Sequence, residues 1–288
     1  MNDVIAFSAA NPLGALAESD VRFVVERLVR GPEGVLDEAN DHGTERLVGA
    51  LIERGNDEAH AAEVVFFGAN CAGDALSPLF ERAVDHALAV AKTESPRTAI
   101  QVWLSPPLAH LATALTARGF AHAFSSYTMK TTDARFATMA PTLGFSFIDW
   151  TPTFDVASVH AVVQRAFVDV PGNLGLDVEA LRERLAAASA PTRLLIDADG
   201  VLVGVSRLAR GAGERPVGVI QVLARDPARR GERLGDVLLS DAMSTLYALG
   251  VDHFELEVVT QNASALMLYR RHGFEVVSTE TTWRRALV

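Results

Sequence analysis

Disulfides, membrane-crossing runs and a polycationic surface are all missing from this sequence. One cysteine, Cys71, in 288 residues has no partner for an internal disulfide and supports no thiolate metal site, so no metal is expected. It reads as a small buried apolar residue in a reducing cytoplasm. The opening stretch MNDVIAFSAANPLG has no positively charged start ahead of a long apolar run, and no segment approaches the ~20 apolar residues of a membrane helix. A cytoplasmic protein is therefore expected. Lysine and arginine number 26 against 36 acidic residues, a net charge of −10, which disfavours nucleic acid and anionic membrane as partners. Any anion site must be local. What the chain does have is hydrophobic content, 49%, enough for one large core or two ordinary ones.

The chain repeats itself. Placing Gly119-Phe120 on Gly273-Phe274 gives a shift of 154 positions, which also sets Ile100, Val102 and Leu104 on Phe254, Leu256 and Val258. At nearly the same shift, the stretch from Val48 falls on the stretch from Val203 with its strand and turn signals. A tandem duplication follows, with a Thr/Pro/Gly-containing linker in KTTDARFATMAPTLG and domains at 1–132 and 145–288. In the second copy Phe145 to Asp149 reads as a strand. Asp155 and Asp177 cap two helices, and TRLLIDA, GVLVGVSRLAR and VGVIQVLAR read as strands, the last two joined by the turn GAGERP. A helix opens at about Leu234 and closes at Gly250, HFELEVV is a strand, and Asn262 opens a helix that Gly273 ends before the final strand. The order βααβββαβαβ predicts an α/β fold of the α+β kind, a mixed sheet flanked by helices.

The turn DPARRGERLG joins a strand ending near Arg225 to the Leu234 helix. Free backbone N–H groups and the positive end of a helix dipole meet there. Gly231 and Gly235 permit close backbone approach while Arg229, Arg230 and Arg233 add charge, so a pyrophosphate is the expected guest. These residues resemble the GNAT superfamily of acyl-CoA-dependent N-acyltransferases. Arg230, Gly231, Glu232, Arg233, Leu234 and Gly235 occupy the family's Q/R-x-x-G-x-G/A loop, with Arg233 where the family has its first glycine. Asn262, Ala265, Leu268, Tyr269, Gly273 and Phe274 match N-x-x-A-x-x-L-Y-x-x-x-G-F throughout.

The resemblance implies that acetyl-CoA is the co-substrate. The backbone of Leu223, Ala224 and Arg225 would pair with the pantetheine arm where the sheet splays, and the amides of Glu232, Arg233, Leu234, Gly235 and Asp236 would hold the pyrophosphate. Asn262 would face the pantetheine or cap its helix, and Tyr269 would protonate the departing thiolate. A base is also needed, because a protonated amine must lose a proton before it attacks. Gln221 stands where family members carry a glutamate. Glu255 and Glu257 project from one face of HFELEV and are the candidate bases, with His253 and His272 weaker. The first copy has no arginine between Val64 and Phe80, Leu108 in place of the Asn and Leu115 in place of the Tyr, so it is expected to be degenerate and non-catalytic. The implied activity is acetyl transfer to a primary amine of a small molecule, in a cleft expected near Phe167–Leu176, Asp169 and Thr279–Thr282. The alternative is a non-catalytic CoA-binding or regulatory module. A monomer or homodimer is expected.

Overall fold

The computed structural model describes residues 2–13, 35–56, 59–93, 98–133, 144–173, 175, 177–186, 191–211 and 216–287. Most of the expected linker, the middle of the GAGERP turn, and Leu174 and Leu176 lie outside the described residues. The chain divides into two compact units, Met1–Ser125 with Thr279–Val288, and Ser126–Ser278.

In the first unit the strands β1 (Val35–Ala39), β2 (Arg46–Asn56), β3 (Ala59–Ala69), β4 (Ala99–Leu104) and the end of β11 (Glu275–Ala286) lie side by side in that order. Pairing is antiparallel except between β3 and β4. Helix α1 spans Asn2–Ala10, α2 Leu76–Thr93 and α3 Ala112–Ala117. On α2, Leu76, Leu79, Phe80, Ala83, Val84 and Ala87 recur at helical spacing and are buried. They pack on Leu47, Leu51, Val64, Phe66 and Ile100 from alternate positions of β2, β3 and β4.

The second unit runs from β6 (Phe145–Asp149) through α4 (Val156–Phe167), α5 (Val178–Ala186), β7 (Thr192–Asp197), β8 (Leu202–Arg210), β9 (Val217–Arg225), α6 (Leu234–Ala248) and β10 (His253–Val259) to α7 (Ala263–Arg271). Its element order is the one expected from sequence. Asp155 accepts hydrogen bonds from the amides of Ala157 and Ser158, and Asp177 accepts from Ala180 at 2.7 Å, so both expected caps are in place. Helices α4 and α5 pack with Leu194, Val205 and Ala224. Helices α6 and α7 pack with Leu208, Ile220, Phe254 and Leu256 on the other face.

The expected domains, 1–132 and 145–288, follow the chain, but the compact units do not. Strand β5 (Ala121–Thr131) pairs antiparallel with β10, Phe254 opposite Thr131 through Val259 opposite Ser126, although it belongs to the first copy. The end of β11 pairs with β4, Thr281 opposite Leu104 through Ala286 opposite Ala99, although it belongs to the second copy. The corresponding strands of the two copies are traded.

Candidate functional site

The second unit opens along one seam. Strands β9 and β10 pair in parallel from His253 opposite Val217 to Leu256 opposite Ile220, and there the pairing stops. Yet β9 continues to Arg225 and β10 to Val259. The cause is visible on the other edge of β9. Its pairing with β8 passes from Leu208–Ile220 to Arg207–Val222, leaving Gln221 as an extra, exposed residue. A bulge of this kind bends and twists its strand, which carries Gln221–Arg225 away from β10. The edge facing β10 is thereby left without a backbone partner among the described residues. Leu223, Ala224 and Arg225, the expected pantetheine contacts, lie on this stretch.

The loop after β9 is braced before it reaches the helix. The Asp226 side chain accepts from the Ala228 amide at 2.9 Å and from Arg165 at 2.7 Å. Arg229 donates to Asp197 at 2.7 Å and to both carboxylate oxygens of Glu232, at 2.6 and 2.8 Å, and its guanidinium lies over the Phe145 ring. This arginine therefore anchors the loop to β7 and neutralises Glu232. Among the described residues, Arg225, Arg230 and Arg233 are the cations of this stretch left without a close carboxylate, Arg233 with only a 3.7 Å approach to Asp236. Gly231 takes φ +96° and Arg233 φ +57°, the one positive φ of a non-glycine among the described residues. The second value explains why a glycine suits this position. Arg233 caps α6 through its backbone, and its side chain is 76% exposed, so the guanidinium does not plug the turn. The burial of Leu234, Val237, Leu238, Leu239, Met243 and Leu246, at ~1.5–3 kcal/mol for each fully buried large side chain, outweighs the strain of that one residue. Packing thus holds the turn in place.

The amides of Glu232, Arg233, Leu234 and Gly235 have no backbone acceptor among the described residues. The Asp236 amide does not belong with them, since it donates to the Arg233 carbonyl at 3.0 Å. Its carboxylate also faces inward. Asp236 accepts from Arg271 at 2.9 Å and from His272 Nε2 at 3.0 Å, joining the first turn of α6 to the end of α7. Burial pushes the Asp236 carboxyl up, but the Arg271 and His272 hydrogen bonds outweigh it and hold the group below the usual carboxylate range. His272, a weaker base candidate from sequence, is buried in this cluster because Asp236 supplies its partner. Gly235 serves the same junction: a Cβ there would stand 3.1 Å from Leu268 on α7.

Tyr269 lies on α7 in the core cluster that contains Leu256 and Val258 and against which Leu223 packs. Its ring is 6.0 Å from that of Phe274, and its hydroxyl has no hydrogen-bond partner among the described residues. Burial pushes its pKa up to about 12. Asn262 caps α7, its side chain accepting from the Ala265 amide at 3.1 Å, so the capping role is the one its geometry displays. Glu255 stands opposite Lys130 and is paired with it at 2.7 Å, whereas Glu257 is exposed and lies one residue beyond the last β9–β10 pair. Both leave the sheet on the face opposite Leu256 and Val258. Asp169 and His253 are exposed. Cys71 is half-buried, with burial and Glu45 raising its thiol pKa. A cavity of about 520 Å³ lies at the C-terminal end of β9, lined by Gln164, Arg165, Val168, Asp226, Pro227 and Ala228. Sequence reasoning missed the Arg229 brace and the Asp236 cluster, because no spacing rule connects residues 32 or 35 positions apart.

In the first unit the matching parallel pairing also stops after four pairs, from Ala61–Ala99 to Val64–Val102. The turn that follows, Gly73–Ala75, carries Asp74 and no arginine and runs straight into α2. Leu108 and Leu115 are buried.

Residues 160–274 match the model of the Acetyltransferase (GNAT) family. The chain is similar to the mycothiol acetyltransferase of Clavibacter michiganensis subsp. michiganensis, 36% identical over 129 residues, 44% of this chain and 41% of that protein. It is likewise similar to the mycothiol acetyltransferase of Brachybacterium faecium, 35% identical over 151 residues, 50% of this chain and 45% of that one. The chain thus spans under half the length of these relatives. Among solved structures, a tandem GNAT protein from the clavulanic acid biosynthesis pathway superposes with a TM-score of 0.69, covering 99% of this chain and 93% of that one at 16% identity. That likeness concerns the fold.

Proposed function

The chain belongs to the GNAT superfamily, with the family's domain at residues 160–274, and on that premise we propose that it transfers an acetyl group from acetyl-CoA to a primary amine of a small molecule. The observation that carries this reading is the junction of an open strand edge at Gln221–Arg225 with the unengaged amides of Glu232–Gly235 at a helix start. An extended amide chain ending in a diphosphate matches that combination in order and in charge. Arg225, Arg230 and Arg233 supply cations around the diphosphate. Arg229, Asp226 and the Asp236 cluster act as positioning residues, since each fixes the turn and none presents a free donor to it.

Tyr269 acts at the sulfur end. With a pKa near 12 its hydroxyl is protonated at every working pH, as a hydrogen-bond donor to a departing thiolate must be. Complete proton transfer to an alkyl thiolate of pKa ~8.5 would be uphill by roughly 5 kcal/mol, so the hydroxyl stabilises the sulfur by donation rather than by losing its proton. Glu257 takes the base role in preference to Glu255 on position, since it is exposed and stands one residue beyond the last β9–β10 pair, where the seam opens. The acceptor amine enters near the loop Phe167–Asn173 and the cavity beside Asp226. Asp169, exposed on that loop, favours a cationic amine there.

The test is direct: acetyl-CoA hydrolysis and transfer are followed by thiol release with a panel of primary amines. Amine-dependent release supports the proposal. Thiol release unchanged by every amine, or no thermal shift with millimolar acetyl-CoA, refutes it.

A further inference from the structure

The open edge of β9 has a counterpart in the first unit, and that counterpart is occupied by the protein itself. After the last parallel pair, Val64–Val102, β3 runs on through Val65–Ala69, as β9 runs on through Gln221–Arg225. One edge of this stretch stays with β2, Val48 opposite Gly68 and Leu47 opposite Ala69. The other edge is taken by Asn11–Leu13: the Leu13 amide donates to the Phe67 carbonyl at 2.8 Å, and the Ala69 amide donates to the Asn11 carbonyl at 3.1 Å. Pro12 stands opposite Gly68 in an antiparallel bridge. In such a pair the facing residues exchange no hydrogen bonds, so proline sacrifices no donor.

The fit is tight. A Cβ on Gly68 would stand 2.8 Å from the Asn11 carbonyl oxygen and 2.9 Å from Ser8 Cα, so only glycine admits the segment. Ile5 of α1 packs with Ala50, Ile52 and Phe67 on one face, whereas Leu13 packs with the cluster of Leu51, Val64 and Phe66 on the other. Alternation along β2 and β3 places those two clusters on opposite faces. The segment therefore lines the edge of the seam beyond Val64, with α1 packed on one face and the Leu13 side chain on the other.

We propose that Asn11–Leu13 is a resident occupant of the first unit's seam, an internal surrogate for the extended amide-bearing chain that the second unit's seam takes up, so that each chain binds a single acyl-CoA. The comparison with that chain rests on the function proposed above; the seating of the segment does not. Amide hydrogen exchange on the intact protein, with and without millimolar acetyl-CoA, tests it alongside calorimetric titration. Leu13 and Ala69 are expected to exchange slowly in both conditions, with one acetyl-CoA bound and new protection confined to Gln221–Arg225 and Glu232–Gly235. Fast exchange at Leu13 and Ala69 in the free protein overturns the proposal, as does their loss of protection together with a second bound acetyl-CoA. A protein that protects both amides and binds no acetyl-CoA supports the seated segment and refutes the acyl-CoA reading instead. Gly68→Val supplies the second arm: it is expected to speed exchange at Leu13 and Ala69 by at least about tenfold while the strands of the second unit keep their protection. Unchanged protection of Leu13 in that variant also overturns the proposal.

Discussion

Arg233 sits at φ +57° and ψ +21° in the turn that opens α6, where an L-residue is strained by ~1–2 kcal/mol. Replacing it with glycine removes that strain and adds unfolded-chain entropy worth ~0.5–1 kcal/mol. The substitution also removes a 3.7 Å approach to Asp236, but from a side chain 76% exposed this contributes nothing on that scale. Arg233→Gly is therefore expected to stabilise the protein by about 0.5–1 kcal/mol, raising Tm by roughly 2 °C. Arg233→Ala keeps the strain and loses the same charge, so it should stay within about 0.5 kcal/mol of the parent and melt below the glycine variant. Both should weaken acetyl-CoA equally, by up to about fivefold at low salt and less at high salt, as expected for one solvated cation. Thermal and urea unfolding with calorimetric titration at two ionic strengths measure all of this. Equal stability of the glycine and alanine variants would refute the left-handed assignment, and tighter binding by the alanine variant would show that the guanidinium obstructs the turn.

Tyr269→Phe should leave stability nearly unchanged, because its hydroxyl has no partner among the described residues, while kcat falls about 10²-fold at constant KM; a KM effect alone would sink the role assigned to it. Since its pKa lies near 12, the rate should show no alkaline fall from this group below that pH in a pH–rate profile. Glu257→Gln is expected to cost kcat about 10²-fold and Glu255→Gln under about threefold, with the reverse order moving the base to Glu255. Asp236→Asn should cost roughly 2 kcal/mol in urea unfolding, since it weakens charged hydrogen bonds to Arg271 and buried His272. The folded Asp236 carboxyl titrates below its unfolded value of ~3.9, so its contribution is present above that pH and is lost as pH falls through the lower folded value. The asparagine variant should lack this part of the acid destabilisation.

Much of the second unit was legible because its signals are local. The caps at Asp155, Asp177 and Asn262, the apolar spacing of α6 and the glycine after α7 each depend on residues within a turn or two. The turn from β9 into α6, proposed above to hold a diphosphate, was legible for the same reason. Arg229 was not, since its brace to Asp197 arises only when β7 and the turn meet, and the burial of His272 was hidden because Asp236 lies on a different helix. The set of open amides at the turn is likewise decided by the folded helix, because the Asp236 amide bonds within the first turn of α6.

In the second copy, strand identity and order along the chain followed from the sequence alone, since alternation and turn chemistry are properties of each segment. Strand partnership did not, because an alternating strand such as β5 or β11 presents the same edge to any neighbour. The trade of β5 to β10 and of β11 to β4, the bulge at Gln221 that opens one seam, and the pairing of Asn11–Leu13 along the other are choices among edges. Backbone hydrogen bonding carries no sequence label, so tertiary packing made those choices.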